Sequence, residues 1–143
     1  MNFSQVLQAV LVLIGKGDVS AVCATESTAK VLEQTKALNR LLVDRARSSG
    51  EVSYLASPMT GGGVVVGRFQ QLFLLSLSQG GKDADEWAAF AWKILSGQGL
   101  KIVKEGKELS SATENLSELT MQANDFAKRW MPIMRAVGIA PKA

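Results

Sequence analysis

Apolar and small residues recur at three- and four-residue steps through the last third of the chain. They are Ile102, Gly106, Leu109, Ala112, Leu116, Leu119, Ala123, Phe126, Trp130, Ile133 and Val137. Such spacing holds side chains on one side of an α-helix, along a seam that a second helix must cover. Read as one element, residues 102–137 predict a helix of about 36 residues, ~54 Å long at about 1.5 Å per residue. Two residues limit how straight it is. Gly106 weakens a helix interior by ~1 kcal/mol relative to Ala. Pro132 lacks a backbone donor and predicts a kink or stop near Met131.

Helical patterning also governs the remainder. Asn2 or Ser4 caps a short first helix that ends near Ile14, before the stop Gly15-Lys16-Gly17. Asp18 or Ser20 caps a second, with Ala24, Thr28, Val31, Thr35, Leu38 and Leu42 again three and four apart. Leu41 widens that stripe, and Arg40, Arg45 and Arg47 fall in its last turns, where positive charge complements the helix dipole. Residues 51–55 suit a short extended piece. Pro58 and Gly61-Gly62-Gly63 then interrupt regular structure, giving a glycine-rich loop over 56–63. A third helix is expected over 64–77, with Phe69, Leu72 and Phe73 inside. It is apolar nearly all round, so it belongs at the centre of a bundle or under a partner. Asp83 or Asp85 opens a fourth helix carrying Trp87, Phe90, Ala91, Ile94 and Leu95, and Ser96-Gly97-Gln98-Gly99 breaks it. The expected fold is all-α: one domain over 1–143, with about five helices, two of them long.

Composition narrows the chemistry. A length of 143 residues, 47% hydrophobic and 20% charged, is that of one ordered globular domain. Histidine is absent, which removes the commonest general base and metal ligand together. The single cysteine, Cys23, excludes an internal disulfide and a thiolate cluster, and reads as a buried inert thiol. The net charge of +3 is spread along the chain, so no strong electrostatic footprint for nucleic acid emerges. Val10–Ile14 has the look of a signal-peptide core. No Lys or Arg precedes it, however, and Lys16 and Asp18 interrupt the approach to Val22-Cys23-Ala24. No run reaches the ~18–20 apolar residues of a membrane span. The expected location is the cytoplasm or an assembled particle.

Individual motifs have plain structural readings. Gly62-x4-Gly67-Arg68-Phe69 approaches a phosphate-binding loop, but Arg68 replaces its Lys and Phe69 cannot ligate magnesium. Asp83, Asp85 and Glu86 suit a helix N-terminus better than a metal site. Glu105 and Glu108 follow Lys101 and Lys104 by four residues and are placed to pair with them on a helix. Lys128, Arg129, Arg135 and Lys142 either complement helix ends or contact phosphates and acidic headgroups. Trp87 and Trp130 fall on inner stripes. Trp92 does not share that clear placement, and an exposed Trp there would anchor a partner.

These features lead to a non-enzymatic helical assembly or interaction protein that self-associates; a small virion or secretion-assembly component would fit. Its candidate interaction residues are Trp92, Phe69, Phe73, Lys128, Arg129 and Arg135, with no catalytic, cofactor or metal residues expected. Two alternatives are a membrane-active protein inserting 3–14 and 64–77, and a nucleic-acid-binding module using the basic C-terminal end.

Overall fold

The computed structural model describes residues 2–17, 19–22 and 25–141, the side chains of 25–30 excepted. Asp18, Cys23, Ala24 and Lys142, singled out above, lie outside the described residues. The chain is mostly helical, with two short hairpins. Its elements run α1 (Phe3–Lys16), α2 (Thr25–Arg45), β1 (Tyr54–Ala56), β2 (Gly63–Val65), α3 (Arg68–Ser78), α4 (Ala84–Gly97), β3 (Val103–Lys104), β4 (Lys107–Glu108), α5 (Ala112–Asp125), a π-helical turn (Phe126–Trp130) and α6 (Met131–Ala136).

The expected helix over 102–137 is not one rod. Its first turns are a hairpin, with Lys104 opposite Lys107 and Val103 opposite Glu108. Glu105 and Gly106 between them both have positive φ, 51° and 78°. Two successive left-handed residues make the tight turn that matches strand twist, and glycine adopts the second without strain. Lys104 and Glu105 therefore do not share a helix face with their expected partners. Lys104 instead meets Glu118 on α5, Nζ to Oε2, at 2.7 Å.

Helix α5 begins where a capping box places it. Ser111 Oγ accepts the Glu114 N–H at 3.1 Å, and Glu114 Oε2 accepts the Ser111 N–H at 2.9 Å. From there the expected stripe holds: Leu119, Ala123 and Phe126 are buried and Leu116 is half-buried. Then it slips by one residue. The Met131 N–H donates to the Phe126 carbonyl, an i→i+5 bond. Met131 and Met134 consequently take the inner positions, while Trp130 and Ile133 turn outward. Trp130 is thus a surface residue, against the expectation that it is core. Pro132, at the start of α6, cannot donate to Lys128, so the α-pattern is broken at the place its chemistry requires.

The core lies between α3, α4 and α5. Phe73, Phe126 and Trp87 form a chain of tilted and edge-on rings, with centroids 5.8 and 6.3 Å apart. The Trp87 indole N–H donates to the Gly81 carbonyl at 3.1 Å. Asp83 caps α4 by accepting the Glu86 N–H at 2.9 Å. Helix α3 starts four residues later than expected, because Val64 and Val65 pair with β1 instead. This suits β-branched residues. The glycine-rich stretch is thereby the turn of a hairpin rather than a free loop. Ser57 Oγ ties that turn to the Val137 carbonyl at 2.8 Å. Pro58 packs so close to Gly138 that a Cβ there would lie 2.7 Å from its Cγ.

Buried amides fasten both hairpins to helices. Asn39 of α2 accepts the Ala56 N–H at 2.8 Å and donates to the Ala56 carbonyl at 2.7 Å, imitating a strand partner. Asn115 of α5 accepts the Ile102 N–H at 2.8 Å and donates to the Leu109 and Ser111 carbonyls. Gln71 of α3 donates to the Val52 and Val66 carbonyls at 2.6 and 2.7 Å. Each satisfies backbone groups that short strands leave open.

Candidate interaction surfaces

Helix α1 is closed at both ends by its own residues. Asn2 Oδ1 accepts the Gln5 N–H at 3.0 Å, and Gln5 Oε1 accepts the Asn2 N–H at 2.9 Å. At the other end Gly17, with φ of 81°, donates to the Leu13 and Ile14 carbonyls. At 100° per residue, Phe3, Val6, Leu7, Val10, Leu11, Leu13 and Ile14 share one arc, opposite Gln5, Gln8 and Lys16. None of the helix is buried. Phe3 is 82% exposed, and even Ile14, the most covered of its large apolar side chains, is 39% exposed. Helix α2 carries a second uncovered stripe, Val31, Leu38 and Leu41, on the side away from its buried Asn39 and Val43.

A groove opens where the second half of α2 meets the end of α3 and residues 139–141. Val43, Leu55, Leu74, Leu77 and Ile139 line it with apolar surface, and Lys36 and Arg40 stand on it from α2. It encloses about 220 Å³. Lys36 is paired to Glu33 at 2.8 Å.

A third surface runs along α5 and the π turn. Met121, Gln122, Asp125 and Trp130 border a shallow cleft with Gln70 of α3. Beside it, Glu118 is buried and accepts from Gln122 at 2.9 Å and from Lys104. The Gln122 hydrogen bond, and then the Lys104 bond and charge, hold its carboxyl below the ordinary carboxylate value. Lys104 is correspondingly raised by its bond to Glu118.

The six expected interaction residues do not converge. Phe73 is 1% exposed and sits in the aromatic core against Phe126. Phe69 is half-buried against the core, at the edge of a shallow cleft with Gly67 and Gln122. Trp92 is likewise half-buried and packed on the core. Lys128 and Arg129 are exposed on the π turn, and Arg135 is exposed on α6. Arg129 lies 3.5 Å from Asp125, and Arg135 donates to the Pro141 carbonyl at 3.2 Å. Arg68 of the glycine motif braces the end of α2, donating to the Ala46 carbonyl at 2.9 Å and to Gln98 at 2.7 Å. The groove was missed because its lining comes from four separated stretches, none of which carries a local signal.

Among the described residues, no helix is long and apolar enough to cross a membrane, and no group of three or more Cys, Asp or Glu side chains is placed to hold a metal ion. The chain is 31% identical over 140 residues, 98% of its length, to a protein of Synechocystis sp. (strain ATCC 27184 / PCC 6803 / Kazusa) named Uncharacterized protein sll1526. It spans 27% of the length of that curated relative. No family model and no solved structure matches it.

Proposed function

We propose that this chain is a non-enzymatic helical interaction module that self-associates through its N-terminal helices. The observation that carries the reading is α1, an amphipathic helix with its whole apolar arc uncovered. A helix of 14 residues is marginal in water when it packs on nothing, since isolated helices shorter than ~12–15 residues rarely hold. The arc therefore needs a surface. Covering one aliphatic side chain fully contributes about 1.5–3 kcal/mol. Several half-exposed ones together reach the lower part of the ~4–15 kcal/mol that association costs. The uncovered stripe on α2 adds to the same account. The resemblance of this chain to one quarter of a longer protein fits a module that works joined to, or assembled with, other parts.

A lipid surface is the second reading, favoured by the absence of any acidic residue from α1. It applies to 3–14 alone, because Leu72–Leu75 of the other apolar segment are buried in the core.

Light scattering across a wide concentration range tests the first reading. Mass is expected to rise with concentration, and a Leu7→Glu/Val10→Glu variant is expected to stay monomeric. Flotation with neutral and anionic vesicles tests the second. A strict monomer at every concentration removes self-association.

A further inference from the structure

We propose that the groove between α2, α3 and residues 139–141 receives α1 of a second copy, each helix exchanged for the other about a two-fold axis. The proposal rests on the self-association reading and names its surface. Both halves of the contact are present in one chain, and among the described residues no other element buries either of them. Helix α1 buries none of its residues, and the groove stays open at the half-buried Leu77 and Ile139, with the buried Val43 and Leu74 in its floor.

Size and charge favour a helix as the occupant. The groove holds about 220 Å³, below the roughly 300–1,000 Å³ of small-molecule pockets. That suits a few side chains projecting from one helix face. Helix-in-groove recognition reads anchors at i, i+3 or i+4, and i+7; Phe3, Leu7, Val10 and Ile14 have that spacing. The first thirteen residues of α1, 3–15, carry no charge, and Lys16 lies at its last position. No ionised group is stranded on the apolar floor. Lys36 and Arg40 disfavour a basic partner segment, and the arc presents none.

Reach and symmetry favour the exchange. The eight positions between α1 and α2 span at most ~27 Å extended, enough to carry a helix across to a neighbouring copy. A two-fold arrangement covers both helices and both grooves and then closes. A head-to-tail one leaves a helix and a groove open at its ends and continues into filaments.

The test uses the 143-residue Leu7→Glu/Val10→Glu chain, isotopically labelled, whose groove is intact and whose own α1 cannot dock. An unlabelled peptide of residues 2–17 is titrated into it. Amide shifts are expected at Arg40, Val43, Leu74, Leu77 and Ile139. In parallel, Leu77→Lys in the otherwise unchanged chain is expected to weaken dimerisation at least tenfold by light scattering. If that variant fails to fold, the titration alone decides. Shifts confined to other surfaces, or none, in a chain that still self-associates overturn the groove and leave self-association standing. A monomeric parent chain whose groove takes peptide only after α1 is broken places α1 in its own groove and overturns the exchange. A monomeric parent with no peptide binding removes both readings.

Discussion

Residues 3–14 and 64–77 are near equivalents as sequence, each a run dominated by Val, Leu and Phe with a few glutamines or serines. Their fates are opposite. Helix α3 of the second run buries six consecutive residues, Gln71 to Ser76, and α1 buries none. Apolar content is not what separates them. Helix α3 is pinned by polar contacts to distant chain: Arg68 to the end of α2, Gln71 to the strand stems. The bonds that close α1 stay within its own first and last turns. Burial follows from having neighbours held in place, and those neighbours are held by a few buried amides and one guanidinium.

The largest expected effect is at the centre of the buried segment. Phe73→Ala removes a ring packed at a tilt against Phe126 and is expected to lower the unfolding free energy by about 3–5 kcal/mol, measured by urea denaturation. Little loss would show that α3 is not the core element described here. Next is Asn39→Ala, which leaves the Ala56 N–H and carbonyl without their partners in a partly buried position. The cost is expected to be about 1–3 kcal/mol, with hydrogen exchange rising at Leu55 and Ala56. Retained protection there would mean that the hairpin does not depend on α2.

A smaller effect is expected from acid. Glu118 titrates below its ordinary value when folded, so its contribution is complete above the unfolded carboxylate value of about 4.3 and is lost as pH falls through the depressed folded value. Stability should therefore decline on acidification through that window, and Glu118→Gln should flatten part of the slope. Glu114, also held low by Ser111, keeps some of it. The smallest effect belongs to the exposed helix. Leu7→Ala is expected to change monomer stability by no more than ~0.5 kcal/mol, measured in dilute urea titrations. A loss comparable with that of Phe73→Ala would erase the contrast between the two segments.

Much of the helical outline was legible in the residues themselves. Of the paired candidates, Asn2 caps α1 and Asp83 caps α4; α1 runs past the expected end near Ile14, through Gly15 and Lys16, and stops at Gly17; and the stripe from Leu116 to Phe126 faces inward. The β3–β4 hairpin was not legible, because Ile102 and Leu109 happen to satisfy helical spacing across it. Glu105-Gly106, an acidic residue and a glycine between short polar strands, was the available turn signal. For the surfaces, the apolar run at 3–14 was visible and its exposure was not, since exposure depends on what the rest of the chain leaves free. Phe73 shows the converse: an all-round apolar helix offered either a core or a docking face, and only packing distinguished them.

The π turn at 126–130 also bears on how residue number can change in this part of the chain. Upstream and downstream of it, inward-facing positions keep separate phases that differ by one residue. Removing Ala127 would bring Met131 and Met134 inward at ordinary helical spacing from Phe126, with Pro132 still withholding its one backbone bond to Lys128. A deletion that would rotate the end of an uninterrupted core helix by ~100° is absorbed here with the same methionines in place. The variant is expected to fold with its Trp130 emission unchanged. The π turn is thereby a place where this chain is expected to lose one residue while its core contacts stay the same.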